Sequence, residues 1–136
     1  MKRLILDTNI LISALIKDSI TRNLIIHSNY ELYSINFSNK EILKYKEQIL
    51  NKTKQSSKEL DLIFETLLSK IILLDDKLIC IHFDKAKSIM DKIDPDDTPF
   101  IAAALAIDGE IWSDENHFQR QKQIKTWTTK ELIALL

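Results

Sequence analysis

After Met1 the chain continues with "KRLILDTNILISAL" (residues 2–15), in which an apolar run ends in a carboxylate, Asp7. The run predicts a short buried strand at residues 3–6, and the apolar spacing beyond it predicts a helix at residues 10–17. A strand that passes directly into a helix is typical of α/β folds. Asp7 then lies where a buried strand ends, which makes it a candidate functional residue.

The rest of the sequence alternates between short apolar runs and longer amphipathic segments. Strands separated by helices predict an α/β fold, a three-layer α/β/α sandwich around a mainly parallel sheet of about five strands. No linker or repeat interrupts the chain, so residues 1–136 are expected to form a single domain. Further strands are predicted at residues 30–36, 71–74, 110–112 and 125–127, and further helices at residues 19–28, 38–54, 56–70, 83–93 and 98–108 and from residue 129 onward.

Composition excludes several kinds of site. A single glycine, Gly109, rules out the glycine-rich loops that bind phosphate. Cys80 is the only cysteine, which excludes an intramolecular disulfide and a thiolate zinc site and favours a reducing, cytoplasmic location. No apolar run approaches the roughly 20 residues that cross a bilayer, so no membrane association is expected. The formal net charge of −1 gives no overall attraction to nucleic acid.

Carboxylates recur where predicted strands end and predicted helices begin. Asp7 follows the first strand, and Asp114 and Glu115 follow the fourth. Asp97 precedes the alanine-rich helix, and Glu41 lies in the helix after the second strand. Because ligands of such sheets bind beyond the carboxyl ends of the strands, these acids could converge. Clustered carboxylates are commonly held together by Mg²⁺ or Mn²⁺, ions that suit phosphodiester hydrolysis.

Several of these acids also have a purely structural explanation. Asp7 suits a helix cap or a first-turn anion, and Asp96 and Asp97 suit first-turn anions, which the helix dipole favours. Glu41 completes the capping-box pattern "SNKE" with Ser38. Taken one at a time, the acids leave both explanations open.

Four stretches of the sequence carry a family pattern: "LILDTNILISAL" (4–15), "KEILKYKEQI" (40–49), "DPDDTPFIAAALA" (94–106) and "IWSDENHF" (111–118). Together they resemble the PIN domain family of small metal-dependent nucleases. The resemblance covers nearly the whole chain, and its first half is similar to a prokaryotic branch related to the VapC-like toxin ribonucleases of toxin–antitoxin pairs. It implies the predicted parallel sheet and a metal-dependent endoribonuclease that hydrolyses RNA.

The resemblance also implies roles for individual residues. Asp7, Glu41 and Asp97 match the first three acids of the family, with Asp7 and Asp97 as ligands of Mg²⁺ or Mn²⁺. Asn9 and Ser113 match polar residues that hydrogen bond to the acids or to their waters. Water, and no protein side chain, would be the nucleophile.

The fourth acid departs from the family pattern. Ser113 and Phe118 set the frame, and Glu115 then falls where the family has aspartate, with Asp114 directly before it. Either Glu115 or Asp114 could serve. This departure leaves an alternative, a PIN-like module that binds RNA or protein with little or no catalysis. A phosphatase or receiver domain is disfavoured, because neither family's acidic pattern follows Asp7.

Partners and binding surfaces are expected as follows. RNA would be the substrate, an antitoxin protein could block the acidic groove, and the chain could form a homodimer. Lysines on the two central helices could bind phosphate, although acids are interleaved with them, as on a solvated helix face. Tyr33, Tyr45 and Phe118 are candidates for stacking on bases. His117 lies beside the predicted site, but no histidine shows metal-ligand spacing, so no role is expected for it.

Overall fold

A computed structural model describes residues 2–16 and 20–136 of the chain. Five strands make up the sheet in this part of the chain, and every neighbouring pair is parallel. The parallel α/β sheet expected from the sequence is confirmed. The strands are β1 (Arg3–Leu6), β2 (Glu31–Ser34), β3 (Ile71–Leu73), β4 (Glu110–Trp112) and β5 (Thr126–Trp127), in the spatial order β3-β2-β1-β4-β5.

Helices cover both faces of this sheet and complete the three layers. Among the described residues there are ten α-helices, with a short 3₁₀ turn at Pro95–Asp97. They are α1 (Thr8–Ile16), α2 (Ile20–His27), α3 (Asn36–Lys44), α4 (Lys46–Thr53), α5 (Ser57–Leu68), α6 (Asp76–Ile81), α7 (Phe83–Met90), α8 (Thr98–Ile107), α9 (Asn116–Arg120) and α10 (Thr129–Ala134). Residues of α1 to α5 and of α10 build one core cluster, and those of α6 to α9 build the other.

Strand β1 lies at the centre of the sheet between β2 and β4. Its side chains alternate between the two cores: Leu4 and Leu6 belong to one cluster and Ile5 to the other. All three are fully buried. A strand covered on both faces needs apolar residues at every position, which explains the continuous run before Asp7.

Some predicted elements differ from the observed ones. The single helix expected at residues 38–54 is two helices, α3 and α4, which meet at Tyr45. Helix α6 was not predicted, and Asp75 caps it by accepting a 2.9 Å hydrogen bond from the backbone N–H of Lys77. Helix α8 begins at Thr98, as predicted, and ends at Ile107, one residue earlier than predicted. The predicted helix ends at Lys17 and Ser19 lie outside the described residues.

The length and polarity of the helices decide whether any of them could span a membrane. Throughout residues 2–16 and 20–136, every helix is too short or too polar to cross a membrane.

Candidate active site

Asp7 is held at the carboxyl end of β1, at the centre of the sheet. Its backbone N–H donates to the carbonyl of Trp112 on β4 at 3.1 Å. Its carboxylate accepts a 2.5 Å hydrogen bond from Ser113 Oγ and a 2.8 Å bond from the backbone N–H of Asn9. These bonds fix both carboxylate oxygens of a side chain that is only 4% exposed.

The environment of Asp7 favours its neutral form. Burial raises the pKa of the Asp7 carboxyl above its ordinary value. The nearby carboxylates of Glu115 and Glu41 raise this pKa further. The two hydrogen bonds to the carboxylate lower the pKa but do not cancel the rise. A cation at this edge of the sheet would relieve the same repulsion.

Asp97 lies at the end of the 3₁₀ turn before α8. With Asp7, Glu41 and Glu115 it forms a group of interacting carboxylates, called the acidic cluster below. Its Oδ2 is in hydrogen-bond contact with Nδ1 of His117. The pKa of Asp97 rises from 3.8 to about 7, chiefly because the carboxyl is partly buried. His117 lowers this pKa, whereas the carboxylates of Asp94, Asp7 and Glu115 raise it. The structure therefore brings Asp7 and Asp97 within electrostatic reach of each other.

Glu41 reaches the cluster from α3 through the residue after Asp7. Thr8 Oγ1 donates a 2.8 Å hydrogen bond to Glu41 Oε1 and lies 2.9 Å from Ser38 Oγ. The expected capping box of Ser38 and Glu41 is wrong, because α3 begins two residues earlier, at Asn36, and its N-cap residue makes no side-chain bond. Inside the helix, both side chains turn toward Thr8 instead.

The two candidates for the fourth acid point in different directions. Glu115 accepts a 2.6 Å hydrogen bond from Asn9 Nδ2 and lies 3.2 Å from Nε2 of His117. Asp114 accepts bonds from the backbone N–H and the hydroxyl of Thr129, at 2.7 and 2.8 Å. Glu115 thus belongs to the acidic cluster, whereas Asp114 holds the first residue of α10.

Two residues of the cluster were not expected from the sequence. His117, for which no role was predicted, contacts Asp97 and lies with Nδ1 3.4 Å from Oδ2 of Asp94. Asp94 stands three residues before Asp97 and is the N-cap residue of the 3₁₀ turn that ends at Asp97. The pattern D-x-x-D before Thr98 could have indicated Asp94. The position of His117 depends on the loop after β4, which carries no comparable signal.

Asp94, Asp97 and His117 could hold a metal ion. One ligand atom from each lies within 4.8 Å of the others, and all three residues are half-buried. Carboxylate oxygens suit Mg²⁺ and Mn²⁺, and an imidazole nitrogen suits transition metals. Because several carboxylates raise the pKa of Asp97 together, the cluster carries a repulsion that a divalent cation would offset. The residues present therefore fit such an ion.

A parallel sheet between two helical layers, with acids gathered at its carboxyl edge, defines a PIN-like domain. The PIN domain family matches residues 5–136, and the chain belongs to this family. A solved structure of similar fold is that of VapBC2 from Rickettsia felis bound to a DNA fragment from their promoter. The matched chain is 17% identical with a TM-score of 0.68, and the match covers 93% of this chain and 98% of that one. No curated protein sequence gives a significant match.

Proposed function

We propose that this protein is a metal-dependent endoribonuclease that hydrolyses RNA phosphodiester bonds. The observation that carries the proposal is the meeting of Asp7, Asp97 and Glu115 at the carboxyl edge of the sheet, with their charges interacting. Membership of the PIN domain family adds independent support. Such a costly arrangement of acids is best explained by a cation bound there during function.

The side chains divide into those that would hold an ion and those that would hold water or substrate. Asp7 and Asp97 would be the main metal ligands, because their side chains are more buried than those of Asp94 and Glu115. A bound Mg²⁺ or Mn²⁺ supplies Lewis acidity toward a phosphoryl oxygen and acidifies water. Glu41 and Glu115 would accept hydrogen bonds from the attacking water and orient it. Ser113 and Asn9 keep the carboxylates in position through the bonds described above.

A polyanionic substrate would need cationic and aromatic contacts near these acids. Arg120 and Lys122 follow the cluster on and after α9, and both are exposed. Phe118, a predicted stacking residue, is 1% exposed and packs edge-to-face on Phe100, so its ring is not accessible to a base. Tyr45 is 37% exposed and remains a candidate for stacking on single-stranded RNA.

The test is cleavage of end-labelled single-stranded RNA with Mg²⁺ or Mn²⁺. We expect a chelator to abolish cleavage, and Asp7→Asn and Asp97→Asn to abolish it without loss of folding. Asp96→Asn is the matched control, because Asp96 is the exposed neighbour of Asp97, and it should cleave as the wild type does. Cleavage that survives in both Asp7→Asn and Asp97→Asn would refute the assignment of the site.

A second candidate function is a binding module with little catalysis. Both carboxylate oxygens of Glu115 are engaged, one by Asn9 and the other by His117, which leaves this acid less free to orient a water. This function predicts RNA binding that weakens steeply with salt and no cleavage with any metal ion. Metal-dependent turnover that Asp97→Asn removes would eliminate it.

We also propose that the protein acts as the toxin of a toxin–antitoxin pair. The supporting observation is the fold that it shares with a chain of the VapBC2 structure. The antitoxin would be a small protein whose basic segment covers the acidic cluster, and the toxin could form a homodimer. Expression of the chain alone should slow growth of a host cell, and expression of Asp97→Asn should not. Equal growth inhibition by both would contradict a toxin whose effect depends on this site.

A further inference from the structure

We propose that His117 is a metal ligand, and that with Asp94 and Asp97 it selects a first-row transition-metal ion over Mg²⁺. The inference rests on the proposed metal-dependent function but concerns the identity of the ion, which the family fold does not decide. It changes the donor set at this edge of the sheet from oxygen atoms alone to oxygen atoms and one nitrogen.

The positions of the three side chains fit one shared ion. Nδ1 of His117 contacts Oδ2 of Asp97 and lies 3.4 Å from Oδ2 of Asp94. In octahedral coordination with bonds of about 2.1 Å, neighbouring ligand atoms lie about 3 Å apart and opposite ones about 4 Å apart. Separations of up to 4.8 Å among the three ligand atoms therefore need only small side-chain shifts to accept an ion.

The other nitrogen of the ring has the partner that a metal-bound histidine usually has. Nε2 lies 3.2 Å from Oε2 of Glu115, so it can donate its proton there and leave Nδ1 with a free lone pair. A carboxylate on the far nitrogen fixes the tautomer and the orientation of metal-bound imidazoles in many proteins. Glu115 is itself held by Asn9, at 2.6 Å. This relay from Asn9 through Glu115 to the imidazole orients the ring with Nδ1 toward Asp94 and Asp97.

Packing restrains the ring further. The His117 ring stacks on Phe118 with an interplanar angle of 15° and a centroid separation of 5.7 Å. Because Phe118 is buried, its ring is a fixed surface for the imidazole. A ligand that is already oriented loses less side-chain entropy when the ion binds.

The nitrogen donor determines which ion is preferred. Mg²⁺ takes oxygen ligands and retains several waters, so an imidazole adds little to its binding. Transition-metal ions accept imidazole nitrogen readily, with affinities that rise from Mn²⁺ through Co²⁺ along the first row. An Asp-Asp-His set should therefore bind Co²⁺ more tightly than Mg²⁺, and the difference should depend on His117.

The test compares the affinities of the full-length chain for Co²⁺ and Mg²⁺ by calorimetry, together with the visible spectrum of bound Co²⁺. His117→Asp replaces the nitrogen by a carboxylate and should lower the ratio of Co²⁺ to Mg²⁺ affinity by roughly tenfold or more, with a change in the Co²⁺ spectrum. His82→Asp is the matched control, since His82 lies between α6 and α7, and its ratio should equal that of the wild type. Circular dichroism checks folding, and His117→Gln is a second variant should His117→Asp unfold.

The outcomes separate this inference from the nuclease proposal. A ratio that is the same in the wild type and in both His117 variants overturns the inference and leaves the nuclease proposal standing. If the ratio of Co²⁺ to Mg²⁺ affinity falls in the His117 variants and the wild type cleaves no RNA, the ligand assignment is supported and the nuclease proposal is refuted. If the wild type binds neither ion, both proposals fail.

Discussion

Ser113 Oγ donates a 2.5 Å hydrogen bond to Oδ2 of Asp7, a contact between residues 106 positions apart in the sequence. It joins the carboxyl ends of two neighbouring parallel strands, β4 and β1. Both side chains are buried, so the bond is shielded from water and orients the carboxylate. The candidate site thus depends on a bond between the beginning and the last quarter of the chain.

Removing this hydroxyl should weaken metal binding. In Ser113→Ala the Asp7 carboxylate loses a bond that lowers its pKa, so its charged form becomes less favourable. We expect the affinity for Mn²⁺ at neutral pH to fall roughly 10–100-fold, as for other residues that orient metal ligands. Calorimetric titration measures the change, and the exposed helix residue Ser88, replaced by alanine, is the control. Equal affinity of Ser113→Ala and the wild type would show that the bond does not support the site.

The raised pKa of Asp97 predicts a pH-dependent effect of its removal. The pKa is about 7 in the folded protein and 3.8 in the reference state, so the metal-free protein loses stability as the pH rises between these values. Asp97→Asn removes this pH-dependent loss of stability, because asparagine does not titrate. The variant should therefore gain free energy of unfolding relative to the wild type as the pH is raised from 5 toward about 7. Urea denaturation with a chelator present measures this difference, and a difference that does not vary with pH would contradict the pKa shift.

Thr8 should be important for stability as well as for the position of Glu41. In Thr8→Val the shape is kept, but Glu41 loses a donor and Ser38 loses an acceptor in a buried position. We expect the free energy of unfolding to fall by about 1–3 kcal/mol, the usual cost of unsatisfied buried polar groups. Thr8→Ser is the control, because it keeps the hydroxyl and removes only a methyl group. If the serine variant is destabilised as much as the valine variant, packing and not hydrogen bonding explains the loss.

The neighbouring acids Asp114 and Glu115 should have separable roles. Asp114→Ala removes two acceptors from Thr129 at the start of α10 and should cost about 0.5–2 kcal/mol of stability, as loss of a helix cap does. Its affinity for Mn²⁺ should be unchanged. Glu115→Gln should show the opposite pattern, with weaker Mn²⁺ binding and little loss of stability. Thermal unfolding and metal titration of both variants measure this, and weaker metal binding by Asp114→Ala would assign the fourth acid to Asp114.

Most of the sheet could be predicted, because buried parallel strands have uninterrupted apolar sequences. The prediction for β1 matches the observed strand, since every residue between Arg3 and Asp7 faces one of the two cores. Helices α6 and α9 were missed because six and five residues are too few to show a helical period. The break between α3 and α4 at Tyr45 was missed because the apolar stripe continues across it.

The acids of the candidate site could be predicted where they lie after a predicted strand or near the start of a predicted helix. Asp7 and Glu115 follow strands directly, and topology alone brings such positions to one edge. The direction of a side chain within a loop is set by tertiary contacts, which is why Asp114 and Glu115 could not be distinguished from the sequence. His117, in α9, was missed because its ring is placed by tertiary contacts with Asp97 and Glu115, residues on two different segments.

The central position of β1 has a consequence during synthesis of the protein. Asp7 leaves the ribosome early, but its neighbour β4 and the residues Asp97 and Glu115 are made roughly 90 or more residues later, which takes roughly 5–20 s at ordinary translation rates. Until then the nascent chain holds Asp7 and Glu41 but not Asp97 or Glu115, so it cannot form the complete acidic cluster. A ribosome that stalls directly after β3 would therefore carry a chain in which the proposed site is incomplete.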